Sequence, residues 1–323
     1  MKRILVIIGI VVILIALVII NFITRKNSDD DTKRIVVAEV THSAFYAPWY
    51  VALHNGYFED LEIEVVLTSG ANNVVAAVLS GDADIGLCGP EATIYVYNGG
   101  TEDPVMSFAG LTKRDGQFLV LRNGIKYDDF KDIEGLTILA GRSGGMPLLN
   151  FQNALKNAGI KDVTIDTSVE FANLSSAFIA GNGDGVNLFE PNASTLVKNG
   201  YGYIATSIGT YSGEVPYTAF NAKKSYIEDN RDIIDTFYSG IAKGLDYVNT
   251  HSAEEIATII ASEFPDTSME DLITMVDNYK KYDSWLSTPE ITEETFENLE
   301  DIMIDNNELD AYVKYADLVY DLN

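Results

Sequence analysis

The hydrophobic pattern of this chain repeats. The segment Ala76-Ala77-Val78-Leu79-Ser80-Gly81-Asp82-Ala83-Asp84-Ile85-Gly86 is matched one hundred residues later by Ser176-Ala177-Phe178-Ile179-Ala180-Gly181-Asn182-Gly183-Asp184-Gly185-Val186. Each reads as a helix end, a glycine stop and a buried strand. The apolar run Ile35 to Val40, followed by Thr41-His42-Ser43 and Pro48, corresponds to Leu136 to Ala140 with Gly141-Arg142-Ser143 and Pro147. Both lead into a helical pattern, closing at Asn55-Gly56 or Ala158-Gly159, and then into strands at Glu62 to Leu67 or Asp162 to Thr167. Elements recurring in one order predict two copies of a β-loop-α-β-α-β unit, each an open α/β sheet.

The links between the copies are extended. Val105 to Leu121 has a strand pattern interrupted at Lys113-Arg114-Asp115-Gly116, and Val215 to Asn221 is extended again. From Ile227 onward the spacing is helical, as in Ile233, Ile234, Phe237 and Ile241 and again in Ile256, Ile259 and Ile260. The expected organisation is lobe I from residues 34–112 and 219–323, and lobe II from residues 113–218. Two crossing segments between lobes form a hinge capable of closure. Ligands on open sheets bind at the carboxyl ends of the strands, so facing lobes make a cleft.

Residues 1–26 read differently. Lys2 and Arg3 precede an unbroken apolar run from Ile4 to Ile20, close to the length that crosses a bilayer. No small-x-small cleavage site is obvious, so a retained membrane anchor is expected ahead of a cleaved secretion signal. Residues 27–33 then form a polar linker.

Charge and cysteine content narrow the function classes. With 48 acidic against 22 basic residues the net charge is −26, which argues against a nucleic-acid partner, since phosphate affinity is built from Lys and Arg. Cys88 is the only cysteine, so an intrachain disulfide is excluded, and no cysteine adjoins the apolar run to carry a lipid. His42, His54 and His251 are scattered without metal-ligand spacing, and no cofactor is implied.

The stretch Tyr46-Ala47-Pro48-Trp49-Tyr50-Val51-Ala52-Leu53-His54-Asn55-Gly56-Tyr57-Phe58, followed by Leu79-Ser80-Gly81-Asp82-Ala83-Asp84-Ile85-Gly86, resembles a known family. It is that of the periplasmic-type binding proteins for nitrate, taurine, aliphatic sulfonates and thiamine pyrimidine precursors. The resemblance extends over residues 34–323 and includes Leu188-Phe189-Glu190-Pro191. It implies a type II periplasmic-binding-protein fold of two similar α/β lobes joined by two crossing segments. It also implies no catalysis, and delivery of a small-molecule ligand to a membrane permease of an ABC importer, here by a monomer.

Strand-end loops supply the candidate ligand contacts. Ser43, Phe45, Tyr46 and Trp49 lie in the first, where rings can sandwich a flat ligand, although Trp49 also fits a core position. Asn72 opens the next helix, where capping is the alternative role. Glu91 and Glu190 stand at equivalent turns before helices, suited to ligand N–H groups or to the helix dipole. Arg142, Ser143, Gly144 and Gly145 precede Pro147 and resemble an anion-binding nest. Tyr217 lies on the second crossing. The aromatics and glutamates favour a nitrogenous aromatic such as an aminopyrimidine, whereas the nest favours a sulfonate, nitrate or carboxylate.

One competing class must be weighed. Gly141-Arg142-Ser143-Gly144-Gly145 satisfies the hydrolase pattern G-x-S-x-G between a strand and a helix. Against it, His251 is the only histidine downstream and reads as a surface residue beside a helix cap. The repeat also explains Ser143 as the counterpart of Ser43.

Overall fold

The computed structural model describes residues 33–141 and 143–322. The N-terminal apolar run, the linker up to residue 32, and Arg142 lie outside the described residues. Among the described residues, no helix is long and apolar enough to cross a membrane.

The strands are β1 (Lys33–Glu39), β2 (Leu61–Leu67), β3 (Ile85–Cys88), β4 (Val105–Thr112) and β5 (Phe118–Arg122). They continue with β6 (Thr137–Leu139), β7 (Thr164–Asp166), β8 (Gly185–Leu188), β9 (Gly202–Ser207) and β10 (Thr218–Lys223). They form two five-stranded sheets, ordered β2-β1-β3-β10-β4 and β7-β6-β8-β5-β9. The orders are equivalent position by position. In each sheet three parallel strands are followed by one antiparallel strand, β10 or β5, which enters just after a crossing.

The repeat has a side-chain basis. Asp84 Oδ2 accepts the Val36 N–H at 2.8 Å, and Asp184 Oδ2 accepts the Thr137 N–H at 2.8 Å. The acidic residue before each third strand therefore satisfies a backbone donor of the first strand, tying the unit together. β1 begins at Lys33, one position inside the expected linker. β2 is an edge strand, and Val65, Val66 and Leu67 are exposed on it.

The first lobe carries α1 (Ala47–His54), α2 (Ala71–Ser80) and α3 (Glu91–Asn98). The second carries α4 (Met146–Ala158), α5 (Leu174–Ile179), α6 (Asn192–Lys198) and α7 (Gly209–Ser212). Gly81 and Gly159 end α2 and α4 in the left-handed region, at φ 83° and 72°, as the sequence pattern predicts.

The C-terminal part is helical. It comprises α8 (Lys224–Asp229), α9 (Arg231–Thr250), α10 (Ala253–Ile260), α11 (Met269–Lys281), α12 (Glu293–Asp305) and α13 (Tyr315–Leu318). It returns to the first sheet, where Trp285 bridges Thr112 and Val319 bridges Ser107. The core of that lobe is a ring cluster. Trp49 packs on Phe58, Phe220 and Phe237 at centroid distances of 5.3, 5.3 and 5.6 Å. α9 lies close on α1, because a Cβ at Gly244 would sit 2.2 Å from the Pro48 carbonyl oxygen.

Candidate functional site

The loop after β1 positions the first group of side chains. Ser43 caps a short 3-10 turn, Ala44–Tyr46, by accepting the Phe45 N–H, and so turns the chain back over the strand end. Phe45 and Tyr46 are buried there. The Phe45 ring lies 5.5 Å from Phe189 at the end of β8, 5.8 Å from Tyr217 on the second crossing, and 5.1 Å from Tyr279 on α11. One ring thus meets both lobes and a crossing segment. The Trp285 indole N–H fixes the turn by donating to the Phe45 carbonyl at 2.8 Å.

Glu91 opens α3 and is only 3 % exposed. Its carboxylate folds over Gly89, beside Met146 of the other lobe. Burial, with the Glu91 charge nearby, raises the ionisation of Tyr46 and Tyr217. Glu91 therefore shares one environment with those rings.

Glu190 sits at the equivalent turn and is 1 % exposed. Its carboxylate accepts the Ser194 N–H at 2.9 Å, the Ser194 hydroxyl at 2.7 Å and the Asn278 amide at 2.9 Å. Burial raises its ionisation above the ordinary carboxylate range, and these donors pull it part of the way back. The sequence pattern offers Glu190 to a ligand. In this structure protein donors from its own lobe and from α11 engage both oxygens.

The other sequence candidates separate. Trp49 faces the core rather than the seam between lobes. Asn72 is exposed on α2. Gly145 precedes α4, whose first turn contains Pro147, and Gly141 and Gly144 take φ 84° and 73° in the left-handed region, while Arg142 lies outside the described residues. A carboxylate borders it, because a Cβ at Gly144 would lie 3.3 Å from Glu308 Oε2. Tyr95 donates to the Gly144 carbonyl at 3.0 Å from the other lobe.

Ser143 is exposed. The imidazoles are engaged elsewhere: His42 by Glu39 and the Glu263 carbonyl, His54 by Glu263, and His251 by the Tyr247 carbonyl. His251 adjoins the Ser252–Glu255 capping box of α10, as expected. Among the described residues, no group of three or more His, Cys, Asp or Glu is arranged to hold a metal.

Sequence reasoning missed Asp115, Gln117, Asn187 and Tyr279, all buried in or beside the seam. Asp115 belongs to a charged four-residue run that reads as a solvated turn. The Tyr279 hydroxyl reaches the Glu190 N–H from 89 positions away, a contact that no local pattern announces.

Two α/β lobes of equivalent strand order, joined by two crossings, with buried rings and carboxylates at the facing strand ends, define a solute-binding protein of the ABC-importer fold. Residues 44–255 match the model of the NMT1/THI5-like family, and the chain belongs to that family. It is 41 % identical over 296 residues to YtlA of Bacillus subtilis (strain 168), a candidate binding protein, covering 90 % of this chain and 89 % of that one. The alkanesulfonate-binding protein SsuA from Xanthomonas axonopodis pv. citri, bound to MOPS, superposes with a TM-score of 0.69 at 13 % identity, over 89 % of this chain and 98 % of that one. The periplasmic aliphatic sulphonate binding protein SsuA from Escherichia coli gives 0.66 at 16 % identity, over 88 % and 96 %. At such identities the two solved structures speak for the fold alone.

Proposed function

We propose that this chain is the extracytoplasmic solute-binding subunit of an ABC-type importer, and that its lobes close on one small organic ligand. The flat, nitrogenous part of that ligand lies against Phe45, Tyr46 and Tyr217, as in a thiamine pyrimidine precursor. The apolar run Ile4 to Ile20 holds the receptor, a monomer, at the cell membrane, where the closed form docks on a permease.

The composition of the seam carries this reading. Rings from both lobes meet beside the buried carboxyls of Glu91 and Asp115, and the buried side chains of the described residues include no Lys or Arg. An acidic, ring-lined site favours a guest that brings N–H donors, which carboxyl oxygens accept. A ligand can favour closure only through contacts that the open state lacks, so contacts from both lobes are what a clamp needs.

A sulfonate or nitrate ligand is the second reading. The Gly141–Pro147 turn at the α4 N-terminus supports it, with Gly144 in the left-handed region. The Glu308 carboxylate beside Gly144 weighs against it by like-charge repulsion.

Thermal unfolding of the full chain against aminopyrimidines, thiamine, taurine, alkylsulfonates and nitrate separates the two. A binder at one hundred times its Kd adds about 2.7 kcal/mol, a shift of a few degrees. A shift with an aminopyrimidine is expected. A shift with sulfonate or nitrate alone would overturn the ligand class and keep the receptor.

A further inference from the structure

The turn from β4 to β5 is buried at its centre. Asp115 is 0 % exposed. Its Oδ1 accepts the Gln117 N–H at 2.6 Å, while Oδ2 is buried without a hydrogen-bond partner. The second crossing runs alongside: the Val215 N–H donates to the Lys113 carbonyl at 3.0 Å and the Tyr217 N–H to the Thr112 carbonyl at 3.1 Å. This pairing sets the Tyr217 side chain beside Asp115. The Tyr217 hydroxyl interacts directly with the Asp115 carboxyl, but neither Asp115 Oδ2 nor the hydroxyl makes a hydrogen bond of good geometry.

Gln117 adds a third orphan. Its amide nitrogen donates to the Asn187 carbonyl at 3.2 Å, which fixes the amide orientation and leaves Oε1 buried and unpaired. The buried groups without a hydrogen-bond partner on and beside this stretch are thus the oxygens Asp115 Oδ2 and Gln117 Oε1, the Thr112 and Tyr217 hydroxyls, the Arg114 Nε–H and the Asn187 amide. A buried polar atom left without a partner is destabilising. The Arg114 guanidinium pairs through Nη2 with Glu214 at 2.6 Å and Asp283 at 3.4 Å, and its Nε–H makes no hydrogen bond to either orphaned oxygen.

The stretch also touches the ring cluster. A Cβ on Gly116 would lie 2.5 Å from the Phe45 ring, and Tyr217 packs edge-on to that ring at 5.8 Å.

We infer that Asp115 is the specificity-determining residue at the hinge side of the interlobe site. With Tyr217 and Gln117 it binds an N–H-bearing, basic nitrogen of the ligand, of the amino-heteroaromatic or amidine kind, and it rejects ligands whose polar end is an anion. The inference rests on the receptor reading above and assigns the residue that chooses among ligand classes. It also places recognition on the crossings themselves, so that ligand contact and lobe closure act through one turn of chain.

The test is calorimetric binding to the full chain of 4-amino-2-methylpyrimidine, of 2-methylpyrimidine and of methanesulfonate. The proteins are the wild type, Asp115→Asn and Tyr217→Phe. Asparagine keeps the acceptor for the Gln117 N–H and nearly the same volume. The expected result is a wild-type preference for the amino compound of about tenfold or more, lost in Asp115→Asn and reduced in Tyr217→Phe. Binding of 2-methylpyrimidine should barely change. An amino-to-deamino ratio equal in wild type and Asp115→Asn overturns this assignment and leaves the aromatic-ligand reading standing. Binding of methanesulfonate alone, or of none of the three, overturns both. If Asp115→Asn does not fold, Tyr217→Phe carries the test, and an unchanged ratio there overturns the assignment.

Discussion

The Ser43 hydroxyl donates a 2.6 Å hydrogen bond to the carbonyl of Glu190, joining the first loop of one lobe to the β8 strand end of the other. The same residue is held a second time, where the Glu190 N–H donates to the Tyr279 hydroxyl oxygen at 2.9 Å. Asn278, one residue earlier on α11, reaches the Glu190 carboxylate. Glu190 is therefore a fastening between lobes. The equivalent Glu91 is buried near Tyr46 and Tyr217 and makes no such link to Asn278.

The fastening makes a prediction. Tyr279→Phe leaves the Glu190 N–H buried without its acceptor, which destabilises the closed form by about 1–3 kcal/mol. Small-angle scattering should show a larger radius of gyration at subsaturating ligand, and affinity should fall several-fold. An unchanged scattering curve and unchanged affinity would remove Glu190 from the closure mechanism. The surface pairs Lys156–Asp305 and Lys198–Asp271 also bridge the seam, but exposed ion pairs are worth little, so Lys198→Ala should alter closure far less.

The architecture was legible because the repeat is local. Gly81 and Gly181, and Asp84 and Asp184, mark the same helix stop and strand start in each copy, and the two sheets share one strand order. The same repeat places Ser43, Phe45 and Tyr46 after β1 and Glu190 after β8, where Ser43 bonds the Glu190 carbonyl and Phe45 packs on Phe189. What each side chain does there was not legible. Trp49 turned to the core because α1 is buried on nearly all sides, so hydrophobic periodicity does not say which ring faces the cleft. Glu190 turned to Asn278 and Ser194, and α11 reaches it only through tertiary packing. Asp115 looked like a solvated charge beside Lys113 and Arg114. Only the pairing of the two crossings shows that its neighbours face outward while it faces in.

Gly116 lets the hinge turn pass against Phe45. In Gly116→Ala the new methyl meets the Phe45 ring at 2.5 Å, among aromatic neighbours with no free space to yield. Overpacking of this kind costs about 1–3 kcal/mol, and here separation of the lobes relieves it. The variant should keep most of its thermal stability and bind ligand about tenfold or more weakly. Wild-type affinity in Gly116→Ala would place closure elsewhere than this turn.

The G-x-S-x-G pattern gives a sharp negative control. Ser143 is exposed, and His42, His54 and His251 hydrogen-bond other groups, so no imidazole is set to activate its hydroxyl. Purified protein should show no hydrolysis of p-nitrophenyl acetate that Ser143→Ala abolishes, and Ser143→Ala should bind the native ligand normally. Ester turnover that vanishes in Ser143→Ala would favour a hydrolase instead.

His42 makes the stability of the first loop depend on pH. Its Nδ1 faces Glu39 Oε1 at 2.8 Å, its Nε2 donates to the Glu263 carbonyl at 2.9 Å, and the Tyr50 hydroxyl lies 3.0 Å from Nδ1. With acceptors on both sides, the doubly protonated ring fits best, and the Glu39 hydrogen bond raises the imidazole above its ordinary value of 6.5 against the opposing effect of burial. A group whose folded value is raised stabilises the fold fully below its unfolded value. That contribution is lost as pH rises through the folded value. The buried acids Asp115 and Glu190 are also raised by burial and change stability in the same direction, but they are common to wild type and variant and cancel in the comparison. The difference in thermal midpoint between wild type and His42→Gln should therefore be largest near pH ~6 and narrow toward pH ~8.5. Ligand affinity should weaken over the same interval, because His42 immediately precedes the Ser43 that bonds Glu190 and the turn that carries Phe45. A midpoint difference that stays constant from pH ~6 to ~8.5 would show that the imidazole enters the fold uncharged.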